Sequence, residues 1–210
     1  DGDYWKWACL ETDKNLAPWS RATPIVLQPK DKTSPERRGY GGLCYLLWNE
    51  SHLYAAGISV APYHSFGGSR FVYLTSCLEL FVGPTQVVLS QDQSGRPVFY
   101  THGASLKGAG IKALEANVTL LDHVPDWPDL ARLSTADNLT TCFFELAIPW
   151  DILVVPKPEE GDTVQIALGI GYADPATRGD ILCRFIAPAG FEFGVPATYL
   201  KAHVKGSSET

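Results

Sequence analysis

Both faces of the run Leu43 to Trp48 are apolar. In an extended strand Leu43, Tyr45 and Leu47 share one side, and Cys44, Leu46 and Trp48 share the other. Such a strand must be covered on both sides, which demands a layered architecture rather than a solvent-facing sheet. Asn49, Glu50 and Ser51 follow as a turn, and His52 to Val60 reads as the returning strand of a hairpin. The same short-strand rhythm continues through Cys77 to Val82, Gln86 to Leu89, Val98 to Thr101 and Ala113 to Leu121. It closes with Cys142 to Ile148, Val164 to Gly171, Ile181 to Ile186 and Thr198 to Val204. Pro62 to Arg70 is rich in Gly, Ser and aromatic residues and reads as an exposed loop.

Helix signals are confined to a turn or two at Pro125 to Leu133 and one short turn at Pro149 to Leu153. The expected fold is therefore all-β, an antiparallel β-sandwich of immunoglobulin-like or jelly-roll-like type with one or two short helical turns. Its core is expected around Leu46, Ile58, Leu80, Leu146 and Ile166. A length of 210 residues suits one domain spanning 1–210, with 1–13 and 206–210 as loose ends.

Composition narrows the partners. The formal charge is −6 and no run of Lys or Arg occurs, so the basic footprint that duplex nucleic acid requires is missing. No apolar stretch reaches the roughly 20 residues needed to cross a bilayer. The start Asp1-Gly2-Asp3-Tyr4-Trp5 lacks the pattern of a signal peptide, and with no Met in the chain it reads as a mature or excised fragment.

The five cysteines, Cys9, Cys44, Cys77, Cys142 and Cys183, contain no C-x-x-C pair, which excludes zinc-ribbon and thioredoxin-like readings. Cys44, Cys77 and Cys142 sit inside apolar runs and read as small buried hydrophobes. Three Asn-x-Ser/Thr sequons begin at Asn49, Asn117 and Asn138.

Four segments in order carry a resemblance. The first is Leu16-Ala17-Pro18-Trp19-Ser20-Arg21-Ala22, and the second runs from Cys44 through Trp48-Asn49 to Leu53-Tyr54. The third is Ser76-Cys77-Leu78-Glu79-Leu80-Phe81-Val82. The fourth is Glu145-Leu146-Ala147-Ile148-Pro149-Trp150, followed by Gly161-Asp162. Read together across nearly the whole chain, they resemble the family 9 carbohydrate-binding modules of the DOMON-like superfamily. Asn49 stands where that family usually has Asp, and the Asp that leads its third segment is absent.

The resemblance implies non-catalytic carbohydrate binding that targets an attached or partner polysaccharide-degrading enzyme, outside the cell or at its surface. It also implies a site in which aromatic rings clamp a sugar while charged and amide side chains hydrogen-bond its hydroxyls. By position Tyr73 would be one clamp member and Glu79 a hydroxyl acceptor. The second clamp, usually Trp, falls on a stretch without one, where Tyr172 or Phe185 would substitute, with Asp174 and Arg184 as polar partners. Arg96 and Tyr100 are further contacts of the same kind. No cofactor is expected beyond a structural calcium, for which Asp122, Asp126 and Asp129 are candidates.

Other readings stay open on sequence alone. Glu79 and Glu145 would be the carboxylate pair of a glycoside hydrolase, although Glu145 among apolar neighbours reads better as a structural acid. His64, His102 or His123 would serve a haem. An accessory or protein-interaction sandwich needs no sugar at all.

Overall fold

A computed structural model describes residues 22–30, 39–67, 71–103, 114–125, 136–173 and 181–204, together with Trp19, Leu130 and Leu133. Among these residues twelve strands are present: β1 (Ile25–Val26), β2 (Gln28–Pro29), β3 (Gly41–Trp48), β4 (His52–Ala61), β5 (Cys77–Val82), β6 (Thr85–Gln91), β7 (Pro97–His102), β8 (Glu115–Leu121), β9 (Thr140–Pro149), β10 (Thr163–Ala173), β11 (Ile181–Ala187) and β12 (Leu200–His203). They form two antiparallel sheets. The first runs β1-β3-β4-β9-β8, and the second runs β2-β11-β10-β5-β6-β7 with β12 also paired to β10.

The expected sandwich is present. Short 3-10 turns occupy Val72–Leu74 and Pro196–Thr198. The turn expected after Pro149 appears as backbone bonds from the amides of Ile152 and Leu153 to the carbonyls of Pro149 and Trp150. Most of the helical stretch expected at 125–133 lies outside the described residues.

Alternation assigns each strand's faces. Between the sheets lie Leu53 and Ala55 of β4, Phe144, Leu146 and Ile148 of β9, Leu78, Leu80 and Val82 of β5, and Ile166, Leu168, Ile170 and Tyr172 of β10. The sheets approach so closely at Gly57 that a Cβ there would sit 2.8 Å from Leu78 Cδ1. Leu80, Leu146 and Ile166 occupy this inner core, and Leu46 packs against it. Ile58 does not, because it points the other way into a second cluster with Trp19, Tyr45, Tyr54, Phe143, Leu130 and Leu139 that closes the outer face of the first sheet. A third cluster, Phe81, Ala167 and Ile186 with Phe191 and Tyr199, covers one part of the second sheet's outer face.

The described cysteines are all unbridged, and Cys44, Cys77 and Cys142 are buried; Cys9 lies outside the described residues. Burial in apolar surroundings pushes their thiols well above the usual value, as inert structural cysteines require.

Tyr172 corrects the sequence expectation. It is 1% exposed, and its hydroxyl donates to the Gly41 carbonyl while Tyr40 stands edge-on to its ring at 5.1 Å. It continues the inward series Ile166, Leu168, Ile170, so it holds the sandwich together instead of facing a ligand. Phe185, the alternative, also turns inward. Tyr172→Phe should cost about 1 kcal/mol by removing the buried hydroxyl's bond to the Gly41 carbonyl. Equilibrium urea unfolding measures this, and an unchanged midpoint would show that the hydroxyl holds nothing.

Candidate functional site

Glu79 is the charged residue that the fold treats most unusually. Cross-strand register lines up Ile186, Gly169, Glu79, Val88 and Tyr100 across the outer face of the second sheet. Arg184 lies one pair away on β11, opposite Gly171. Two strand spacings, about 10 Å, separate β11 from β5. The arginine side chain spans that gap over β10, and its Nε donates to Glu79 Oε1 at 2.8 Å. Gly169 and Gly171 leave β10 without a side chain along this path. From the other flank, Gln86 of β6 donates through Nε2 to Glu79 Oε2 at 3.1 Å.

Glu79 is thus 2% exposed with both oxygens engaged, whereas Arg184 remains 22% exposed. Burial pushes the Glu79 carboxyl above the ordinary carboxylate value. The charges of Arg184 and Lys30 and the hydrogen bonds from Arg184 and Gln86 draw it back without cancelling that effect.

Aromatic rings flank the charge pair. On one side Phe71 stacks on Tyr73 with centroids 5.3 Å apart, and Tyr100 stands at 5.1 Å from Tyr73. The Tyr73 carbonyl also accepts from Arg184 Nη2 at 3.4 Å. On the other side Phe193, 41% exposed, lies 5.6 Å from the Arg184 guanidinium carbon and 4.0 Å from Lys30 Nζ. Phe81 beneath it anchors Phe193 at 5.3 Å. Arg184 therefore reaches from one aromatic wall to the other, with Glu79 beneath. Flat apolar walls over a polar floor are the arrangement that can hold the C–H face of a sugar ring and hydrogen-bond its hydroxyls.

Of the residues singled out in the sequence, Tyr73, Glu79, Tyr100 and Arg184 come together here. Arg96 is held elsewhere: it lies in the β6–β7 turn, and its guanidinium pairs with Asp92 of the same turn at 3.1 Å. Asp174 lies outside the described residues, as do Asp126 and Asp129. Asp122 is solvent-exposed and bonded to His123, which holds its carboxyl below the usual range. Among the described residues no group of three His, Cys, Asp or Glu is placed to hold a metal ion. Lys30, Phe71, Gln86 and Phe193 also line this candidate site, and none of them is among the sequence-predicted site residues. Only the exposure-prone Phe-x-Phe-Gly stretch at Phe191 to Gly194 offered a signal.

The rival carboxylate pair does not assemble, and His64 is tied into the fold. Glu145 faces outward from the first sheet, where its Oε1 accepts from the Trp19 indole at 3.2 Å. Both sheets and the core between them therefore separate it from Glu79, well beyond the roughly 5–10 Å that a catalytic carboxylate pair requires. His64 has both ring nitrogens engaged, with Ser59 at 2.6 Å and Thr140 at 2.9 Å, and burial lowers its pKa to about 4.

No family model matches this sequence, and no curated protein matches it either. Solved structures do. The chain superposes on a family 9 carbohydrate-binding module from Caldicellulosiruptor kristjanssonii in complex with glucose, with a TM-score of 0.62 and 13% identity, covering 95% of this chain and 92% of the other. A second structure of a family 9 module from that organism, in complex with cellotriose, gives 0.61 and 11%, with 92% and 87% covered. The fold of the present chain is of the family 9 kind.

Breaking the charge pair has a signed consequence for stability. The folded-state pKa of Glu79 is raised, so this group's stabilising contribution is complete below its unfolded value of 4.5 and is lost as pH rises through the folded value. Arg184→Met removes the main opposing charge and raises that pKa further. The variant should lose about 3 kcal/mol near neutral pH, the low end for a broken buried pair because Arg184 is partly solvated. Most of that loss should vanish near pH 4, where Glu79 is neutral. Denaturant unfolding at both pH values tests this, and an equal loss at each would show that the cation does not hold an ionised Glu79.

Proposed function

We propose that this chain is a non-catalytic carbohydrate-binding module that holds a mono-, oligo- or polysaccharide on the outer face of its second sheet. In this reading it works outside the cell or at its surface and keeps an attached or partner polysaccharide-degrading enzyme close to its glycan. The observation that carries the reading is the Arg184 guanidinium, fixed on Glu79 and framed by Tyr73 with Phe71 and Tyr100 on one side and by Phe193 on the other. Arginine offers planar donors to adjacent hydroxyls, and rings on either side supply apolar contact for the pyranose faces. The similarity of fold to modules solved with glucose and with cellotriose supports the choice of ligand class.

The clamp differs from a pair of opposed tryptophans. One wall is a self-packed trio in which Tyr73 is braced by its neighbours, and Phe71, 42% exposed, is its most open ring. A braced ring loses little side-chain entropy when a ligand docks, so modest contact area still yields affinity.

Isothermal titration with glucose and cellotriose tests the proposal directly. Tyr73→Ala should weaken binding at least about tenfold, equivalent to ~1.4 kcal/mol, while Arg96→Ala leaves it unchanged. Failure of the intact protein to bind any neutral or acidic saccharide on a glycan array would overturn the reading.

A further inference from the structure

We infer that Gln86 is the residue that reads a sugar hydroxyl at this site, and that Glu79 is a positioning residue that orients it. The inference rests on the carbohydrate-binding reading above and specifies which side chains touch the ligand. An acid among apolar strand neighbours invites the assumption that its carboxylate accepts the hydroxyls. The geometry argues otherwise. Glu79 is 2% exposed, and each of its oxygens already accepts a hydrogen bond, Oε1 from Arg184 Nε and Oε2 from Gln86 Nε2. An incoming sugar meets the two residues that cover this carboxylate before it meets the carboxylate itself.

An ionised carboxylate accepts hydrogen bonds and donates none. Gln86 turns its NH2 toward Glu79, donating through Nε2 to Oε2, which directs its carbonyl Oε1 the other way. The half-buried Gln86 lies across the sheet from Phe81, the ring that anchors Phe193, and opposite His102 on its other side. Its carbonyl is consequently a fixed acceptor beside one aromatic wall, while Arg184 on the opposite flank of Glu79 supplies donors only. A donor group and an acceptor group held on either side of one buried anion form a directional pair. Such a pair distinguishes a hydroxyl that donates to Gln86 from a substituent that cannot.

The groups facing Gln86 and Glu79 from the packed elements are Arg184 on β11, Lys30 after β2, Cys77 on β5 and His102 on β7. Among the described residues Glu79 is the carboxylate bonded to Gln86, so this acid sets the orientation of the Gln86 amide.

The test uses the whole chain with glucose, its monodeoxy analogues and the matching fluoro-deoxy analogues, titrated calorimetrically, with the thermal midpoint recorded for each variant. For the unaltered protein, one ring position should stand out. There both the deoxy sugar and the fluoro sugar, which cannot donate, should bind about tenfold more weakly than glucose. Gln86→Leu should bind glucose about tenfold more weakly and no longer distinguish that position. Gln86→Asn, which keeps the amide but withdraws it by one methylene, should fall between the two. Glu79→Gln, whose amide can turn the Gln86 carbonyl inward, should lose as much affinity as Gln86→Leu, and the double variant should lose no more than either single variant.

A Gln86→Leu protein that stays folded and retains the deoxy-sugar profile overturns the role of Gln86 but leaves the carbohydrate reading standing. Additive losses in the double variant would overturn the coupling of Glu79 to Gln86. An unaltered protein that binds none of these sugars removes both the reading and the inference.

Discussion

An acid placed in the middle of a sheet face must either stay neutral or find a cation, because desolvating an isolated carboxylate costs several kcal/mol. Glu79 finds its cation 105 residues away in sequence, on a strand that is not its neighbour. That contact constrains its surroundings. The strand between them carries glycine at the two positions under the arginine, and the segment carrying Tyr73 brings its carbonyl to the guanidinium. Phe193 then sits close enough to stack near the same group. Pairs of this kind add little net stability, since desolvation offsets most of the Coulomb gain. What the pair supplies is position: it locks a rotamer-rich arginine and a glutamine into single orientations.

The strands were legible because their signal is local. Cys77–Val82 could be read to the residue, and the other main strands differ from expectation by a residue or two at their ends. The strands β1 and β2, two residues each, are too short for alternation to register, and each exists only through its partner strand. Ile58 was misplaced between the sheets because β4 is buried on both faces, so hydrophobicity alone cannot say which face points inward. The turn residues helped more: Asn49 accepts from the Ser51 and His52 amides and fixes the β3–β4 hairpin.

The site was only half legible, for a physical reason. Tyr73, Glu79, Tyr100 and Arg184 are spread over four segments, and cross-strand register makes them neighbours. Register is a tertiary property that no window of sequence contains. Gln86 carries no local signal of a site, and the Phe191 to Gly194 stretch signals exposure without saying which residues it will meet. Tyr172 is the opposite case: it lies two residues past Ile170 in a strict inward series, and that periodicity places it in the core. Glu79 and Glu145 look alike in sequence, each an acid in an apolar strand. Their fates differ only because one meets an arginine and the other meets the indole of Trp19.

The two outer faces differ in how they are covered. On the first sheet, Trp19, Leu130 and Leu139 lie over Tyr45, Tyr54, Ile58 and Phe143, and the surface beneath is sealed. The cleft beside that sheet's hairpin, lined by Glu50, His52, Trp150, Asp151 and Lys157, offers no ring platform from its tryptophan. Trp150 is 5% exposed there, and its indole N–H is committed to the Asn49 carbonyl. On the second sheet two described segments cover separate parts. The turn at Val72–Leu74 roofs one part and the stretch around Phe191 and Tyr199 roofs another. Between them lie Arg184, Glu79 and Gln86, a partly solvated guanidinium held on a buried carboxylate. A ligand carrying both hydroxyls and apolar ring faces complements that gap better than a second apolar protein surface, which would leave the remaining arginine donors unpaired.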